Sequence, residues 1–94
     1  MKYFDWDEQK NAKLKAERDI CFEDVLIALA EEKLLDDISH PNQKDYKGQR
    51  VIVIEINGYV FLVPYVEDEE KYFLKTMYPS RKFTGKYHLE RNKS

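Results

Sequence analysis

Apolar and polar positions divide the first part of the chain into a short strand and two helices. The aromatic stretch Lys2–Trp6 predicts an edge strand, and the strong helix formers of Glu8–Arg18 predict a helix that Asp7 caps. That helix has only a weak apolar face, so we expect it at the surface. A second helix begins near Phe22, because apolar residues recur there at i, i+3, i+4 and i+7, namely Phe22, Val25, Leu26 and Leu29.

The second half of the chain has the alternation of a β-meander. Val51–Ile56 and Tyr59–Val66 flank the dipeptide Asn57-Gly58, which suits a two-residue hairpin turn because both positions tolerate positive φ. A third strand is predicted over Tyr72–Tyr78. The fold class is therefore α+β: two N-terminal helices packed on a small, mostly antiparallel meander, with a short basic helix at the C-terminus.

Shorter elements and breaks complete the pattern. Leu34–Ile38 predicts a short strand, and a polar loop follows over Ser39–Gln49. Pro64 cannot donate to a ladder, so we expect a bulge or an unpaired edge near it. Pro79 ends the third strand, and Arg81–Leu89 predicts a terminal helix that is interrupted at Gly85.

A two-residue turn also fixes which side chains share a sheet face. The first face is the predicted core, and the second is half apolar with Lys75 at its middle. A slip of one residue would reverse every assignment. The first face takes Ile52, Ile54, Ile56, Tyr59, Phe61 and Val63, with Leu74 and Thr76; the second takes Glu55, Val60, Leu62 and Pro64, with Lys75 between Phe73 and Met77.

Composition narrows the class of protein. A length of 94 residues fits one domain, residues 1–94, and thirteen aromatic residues argue against disorder. No apolar run approaches the roughly 20 residues that span a bilayer, and no signal peptide is evident. Cys21 is the only cysteine, so an intrachain disulfide is excluded and we expect a reducing cytoplasm.

Charge is distributed unevenly along the chain. The net charge is −2, yet residues 71–94 hold seven basic residues and one acidic residue, whereas residues 1–70 hold nine basic and seventeen acidic residues. A basic end on an acidic body is typical of a chain that binds a polyanion, although a solvated basic tail has the same composition.

Two patches of sequence resemble the BrnT-type ribonuclease toxins of bacterial toxin–antitoxin pairs. The first joins an aromatic–aspartate start, YFDWD at residues 3–7, to Lys10-Asn11 and to the helix start ICFED at residues 20–24. The second is FLKTMYPSRK at residues 73–82, ending near Tyr87, and His40 lies where the family often has an aspartate–histidine stretch. The chain departs from the family in having Cys21 for a serine, Arg18 near a family histidine, and Tyr78-Pro79 inserted before Ser80-Arg81.

The resemblance implies a RelE-like fold and a metal-independent endoribonuclease that inhibits translation. It also implies a small DNA-binding antitoxin, of ribbon-helix-helix type, as partner: the antitoxin blocks the active face, and the complex represses its own operon. DNA would be contacted only through that complex. No cofactor, metal or membrane is implied.

Metal-free RNA cleavage needs a base for the 2′-hydroxyl, stabilisation of the phosphorane and a proton for the leaving 5′-oxygen. Arg81 matches the family's arginine and is the first candidate, as a phosphorane stabiliser. Lys75 is a candidate phosphate contact or proton carrier, and His40 a candidate general base. Each residue also has an explanation without catalysis. Arg81 would be a surface arginine, Lys75 a lysine that lies along a sheet face, and His40 a solvated loop histidine.

The candidate RNA-binding residues cluster near the C-terminus. Lys82 and Lys86 would contact the phosphate backbone, and Tyr78 and Tyr87 would stack on bases, although tyrosines at such places more often serve packing. Two histidines and one cysteine, far apart, match no metal-site spacing. The alternative to an enzyme is a toxin-like binding module that has lost catalysis and binds a protein or nucleic acid.

Overall fold

The computed structural model describes residues 2–91, and side chains of the last helix as far as Tyr87. Within residues 2–91 there are three helices and six strands, which confirms the α+β class. The elements are β1 (Tyr3–Trp6), α1 (Glu8–Arg18), α2 (Phe22–Ala30), β2 (Leu34–Ser39), β3 (Arg50–Ile56), β4 (Tyr59–Glu67), β5 (Lys71–Leu74), β6 (Tyr78–Pro79) and α3 (Arg81–Arg91).

The strands form one mixed sheet in the order β1-β5-β4-β3-β2, and the short β6 also pairs with β4. Strand β1 lies at one edge, parallel to β5, and the remaining pairs are antiparallel. The predicted edge strand, meander and hairpin are therefore confirmed. Asn57 and Gly58 both have positive φ, 54° and 80°, as the two-residue turn requires.

The predicted register of the hairpin is confirmed as well, since Ile56 pairs with Tyr59 and Ile54 with Phe61. The first sheet face packs against α1 and α2 to form the core. Helix α1 contributes only one apolar side chain, Leu14, and is otherwise a surface helix, as predicted. The core cluster is Leu14, Ile20, Phe22, Val25, Ala28, Ile52, Ile54, Ile56, Phe61, Val63, Tyr65, Leu74 and Met77.

The predicted third strand is wrong in one respect, because it is divided in two. Tyr65 pairs with Leu74, but Leu62 pairs with Tyr78, so three residues between β5 and β6 lie opposite only two residues of β4. The extra residue forms a bulge opposite Pro64, whose carbonyl accepts the Lys75 N–H at 2.8 Å and whose own nitrogen has no proton to give. The bulge that Pro64 predicts is therefore present.

Because of the bulge, two residues do not lie on the sheet faces that were predicted for them. Met77, placed on the second face by simple alternation, is only 1% exposed and joins the core. Thr76, placed on the first face, is instead half-buried and outside the core cluster. Lys75 is exposed and, as predicted for the second face, lies beside Pro64 and Phe73.

Helix α3 runs from Arg81 to Arg91 without a break, so the predicted interruption at Gly85 is wrong. Its first turn is held by Ser80, whose Oγ accepts the Phe83 N–H at 3.2 Å. One turn later the buried Thr84 hydroxyl donates to the Ser80 carbonyl at 2.7 Å and accepts the Val60 N–H of β4 at 2.9 Å. These contacts fix α3 to the sheet and outweigh the low helix propensity of one glycine.

Candidate functional site

A cavity of about 320 Å³ opens where the loop after β2 faces the β5–β6 bulge. Three of the residues singled out from the sequence line it together: His40, Lys75 and Tyr78. No carboxylate is among the described residues that line this cavity, although the chain as a whole is acidic. The complete lining is His40, Tyr46, Gln49, Pro64, Lys75, Thr76 and Tyr78.

The loop holds His40 in a defined orientation. Its backbone N–H donates to the Gln49 carbonyl at 3.0 Å, and its ring stacks on Tyr46 with centroids 4.4 Å apart. The ring atom Nδ1 accepts the Asn42 backbone N–H at 3.0 Å. A neutral imidazole that accepts at Nδ1 carries its proton on Nε2, so the ring can offer a donor through that nitrogen.

Lys75 and Lys71 share one aromatic ring but differ in their electrostatic surroundings. Their Nζ atoms lie 5.5 and 5.8 Å from the centroid of Phe73. Lys71 also donates to Asp5 at 3.1 Å, which raises the pKa of Lys71 and lowers that of the Asp5 carboxyl. Lys75 has no such ion pair within the described part of the chain, so its charge is available to a bound anion.

The remaining candidates lie on α3, outside the lining of the cavity. Arg81 and Lys82 are exposed in the first turn, which contains no acidic residue to match the positive end of the helix. Lys86 is exposed too, with Nζ 6.0 and 5.8 Å from the rings of Phe83 and Tyr87. Tyr87 is half-buried and stacks on Phe83 with centroids 6.5 Å apart, so packing already occupies much of its ring.

Tyr46 and Gln49 line the cavity but were not among the candidates taken from the sequence. Tyr46 is 44% exposed and contributes the ring on which His40 stacks. The signal was present, because Tyr46 is the one aromatic residue in the otherwise polar loop 39–49 apart from His40 itself. Gln49 was missed for a different reason: only the strand pairing brings it opposite His40.

No protein-family model matches this chain, and none of the curated proteins matches it. A solved structure does: the 1.1 Å crystal structure of the Brucella abortus ribonuclease toxin BrnT aligns with a TM-score of 0.61. The alignment covers 85% of this chain and 97% of that chain, at 21% sequence identity. The chain has the BrnT-type fold.

Two of the residues that carried the resemblance at the start of the chain cap helices in the structure. Asn11, of the Lys10-Asn11 pair, is buried and caps α2 through its side chain, so its role here is structural. Asp7 likewise caps α1 by accepting the Gln9 N–H at 2.8 Å. Among residues 2–91 no helix is long and apolar enough to cross a membrane.

Proposed function

We propose that this chain is an endoribonuclease toxin of a bacterial type II toxin–antitoxin pair, which acts in the cytoplasm, cleaves RNA without a metal ion and so inhibits translation. One observation carries the proposal: His40, Lys75 and Tyr78 converge with Tyr46 on a cavity that has no carboxylate among the described residues of its lining. Such a cavity favours a phosphodiester, which is anionic, and its aromatic rings suit an unstacked base. The BrnT-type fold supports the proposal, since the solved example is described as a ribonuclease toxin.

The cationic residues divide the work of phosphate binding. Lys75 places an unpaired ammonium beside the phosphorane and supplies a proton to the leaving 5′-oxygen. Arg81, three residues beyond Tyr78, reaches the same phosphate from the first turn of α3 and stabilises the phosphorane through its bidentate fork. Lys82 and Lys86 contact the phosphate backbone of the flanking nucleotides along α3. Tyr87 lies on the same helix, and Tyr78 stacks on a base.

His40 has two possible roles in cleavage, and the hydrogen bond at its ring supports one of them. With Nδ1 accepting the Asn42 N–H, the ring donates from Nε2 to a phosphorane oxygen. A general base would instead need a lone pair on Nε2, and the proton would then stand on Nδ1, facing the Asn42 N–H. The hydrogen bond to Nδ1 therefore favours the donor role over the base role that the sequence suggested. The proton of the 2′-hydroxyl then passes to solvent water, while Lys75 gives its proton to the leaving 5′-oxygen.

The central experiment measures cleavage of a labelled RNA in EDTA by purified variants. We expect Lys75→Ala to lower the rate of RNA cleavage by about 10²-fold or more. Other enzymes lose activity to this extent when one hydrogen-bond donor to the transition state is removed. Lys44→Ala, a charge-matched change in the exposed part of the loop, serves as control and should leave the rate unchanged. Equal rates for all three proteins would contradict the assignment of the cavity.

Two substitutions at position 40 distinguish a hydrogen-bond donor from a general base. A glutamine amide places a donor near the position of Nε2, whereas an asparagine amide is too short. If His40 donates a hydrogen bond, His40→Gln keeps much of the activity that His40→Asn loses. If His40 is the base, both variants lose activity alike.

The alternative, a toxin-like binding module without catalysis, is favoured by the place of Arg81 outside the cavity lining. Tightly induced expression of the wild type beside Arg81→Ala and Lys75→Ala separates the two. Growth arrest with RNA decay, relieved by either substitution, supports the toxin. Normal growth and intact RNA, with soluble folded protein confirmed, support the binding module.

The proposed protein partner is a small DNA-binding antitoxin of ribbon-helix-helix type that covers this active face. Co-expression of the reading frame beside this gene should restore growth and yield a complex in which the cavity is closed to RNA. A neighbouring protein that binds the chain yet leaves RNA cleavage unaffected would contradict this part of the proposal.

A further inference from the structure

A second groove lies on the other side of the bulge, between α1 and the segment Thr76–Tyr78. Its volume is about 320 Å³, the same as that of the cavity beside His40. Thr76 and Tyr78 line both spaces, so the bulge is a wall that the cavity and the groove share. The groove is lined by Lys10, Lys13, Leu14, Glu17, Arg18, Thr76, Met77 and Tyr78.

The cations of the groove belong to one face of α1. Lys10, Lys13 and Arg18 follow one another at i, i+3 and i+8, which keeps them on the side that faces the bulge. None of them makes an ion pair with a side chain that the structure describes, whereas Lys15 on the same helix pairs with Asp19 at 3.2 Å. Among the described residues of the lining Glu17 is the one carboxylate, so this part of the groove is net cationic on an acidic chain.

We propose that this groove is a second RNA subsite, which binds the phosphate backbone of the strand as it leaves the cavity. The inference rests on the proposed function and deepens it, because it makes the substrate an extended single strand. From Lys10 to Arg18 the helix rises ~12 Å, enough to contact more than one phosphate. Continuity through the Thr76–Tyr78 wall favours the strand already held in the cavity over a separate acidic ligand.

The chain offers a matched control on the same helix. Lys10→Ala/Lys13→Ala removes two cations of the groove, and Lys15→Ala/Lys33→Ala removes two exposed cations that line neither the groove nor the cavity. Both double variants change the net charge by the same amount. A non-specific electrostatic effect would therefore weaken RNA binding equally in both. Thermal unfolding followed by circular dichroism verifies that each variant is folded.

The experiment measures the binding of 2′-O-methyl RNA, which cannot be cleaved, by fluorescence anisotropy. A trinucleotide occupies the cavity, and an oligonucleotide of about ten nucleotides extends into the groove. We expect Lys10→Ala/Lys13→Ala to weaken binding of the longer RNA by about tenfold and to lower its salt slope by about 1.4, at ~0.7 per lost phosphate contact. Binding of the trinucleotide and binding by the control variant should change little.

The outcomes separate the two proposals. If wild type binds both RNAs and the two double variants behave alike, the subsite is overturned while the proposed function stands. If the longer RNA binds no more tightly than the trinucleotide to wild type, the subsite is overturned as well. Failure of wild type to bind either RNA overturns both proposals. If the groove variant instead loses only the binding of a co-expressed acidic protein, the groove is a protein site and the RNA subsite is wrong.

Discussion

The side-chain oxygen of Asn11, in α1, accepts the backbone N–H of Phe22, the first residue of α2, at 2.7 Å. The Asn11 amide also donates to the Glu23 carboxylate at 2.7 Å. Helix α2 begins after Cys21, a residue type that caps poorly, and its first turn is completed by Asp24, which accepts the Cys21 N–H at 3.0 Å. Asn11 therefore satisfies a first-turn N–H of α2 in addition to the capping box that Cys21 and Asp24 form.

This contact predicts the effect of removing the Asn11 side chain. Asn11→Ala leaves the buried Phe22 N–H without a partner, and we expect the free energy of unfolding to fall by ~2–3 kcal/mol. Urea denaturation followed by circular dichroism measures the loss. Asn42→Ala, which removes an exposed loop amide, is the comparison and should cost less than ~1 kcal/mol. A loss for Asn11→Ala no larger than this would show that α2 does not depend on the inter-helix cap.

The same contact makes part of the stability depend on pH. The hydrogen bond from Asn11 lowers the pKa of the Glu23 carboxyl below its ordinary value of 4.5. A lowered folded-state pKa contributes stability that is present above pH 4.5 and is lost as the pH falls through the folded-state value. The stability difference between wild type and Asn11→Ala should therefore shrink in acid. A difference that stays constant from pH 7 to pH 3 would contradict the role of Glu23.

At the opposite end of the pH scale, Tyr65 predicts an alkaline transition. Its hydroxyl donates to Asp37 at 2.8 Å, and burial together with that carboxylate raises the pKa of Tyr65 to about 12 from 10.0. The neutral phenol is thus favoured in the fold, so its contribution is complete below pH 10 and is lost as the pH rises toward 12. The difference in tyrosinate absorbance between wild type and Tyr65→Phe should show one group titrating near pH 12. Titration near pH 10 would indicate that Tyr65 is solvated.

Alanine substitutions at two glycines should change the free energy of unfolding in opposite directions. Gly85 lies exposed within α3, with nothing near the position of an added Cβ, so Gly85→Ala should raise the free energy of unfolding by ~0.5–1 kcal/mol. Gly58 has φ +80°, and Gly58→Ala should cost ~1 kcal/mol because L-residues are disfavoured there. Denaturation curves of the two variants give both values. A destabilising Gly85→Ala would mean that α3 is not continuous through that position.

Tyr46 offers a test of the loop that carries His40. Tyr46→Phe keeps the ring stacked on His40 and should retain RNA cleavage, whereas Tyr46→Ala removes it. Loss of a stacking ring costs ~1–3 kcal/mol in nucleic-acid binding, so we expect Tyr46→Ala to raise the KM by about tenfold or more. Steady-state kinetics on a short RNA measure this change in KM. A strong effect of Tyr46→Phe would instead assign the role to the hydroxyl.

The local pattern of the sequence determined most of the elements and the core. The bounds of α1, the start of α2 and the hairpin register follow from residue spacing and turn chemistry, which act over a few residues. Ile54 and Phe61, both buried, were assigned to the core face on that basis. The tertiary structure confirmed these assignments without changing them.

Only the tertiary structure decided where the chemistry lies. The bulge opposite Pro64 moved Met77 into the core and Thr76 out of it, and alternation along one strand cannot show this because the shift depends on the partner strand. His40 and Tyr46 meet Lys75 only because β2, β3, β4 and β5 pair in succession across the sheet. Helix α3 continues through Gly85, next to the hydrogen bond between Thr84 and Val60. Contacts of this kind are set by residues far apart in the chain, which local propensity does not encode.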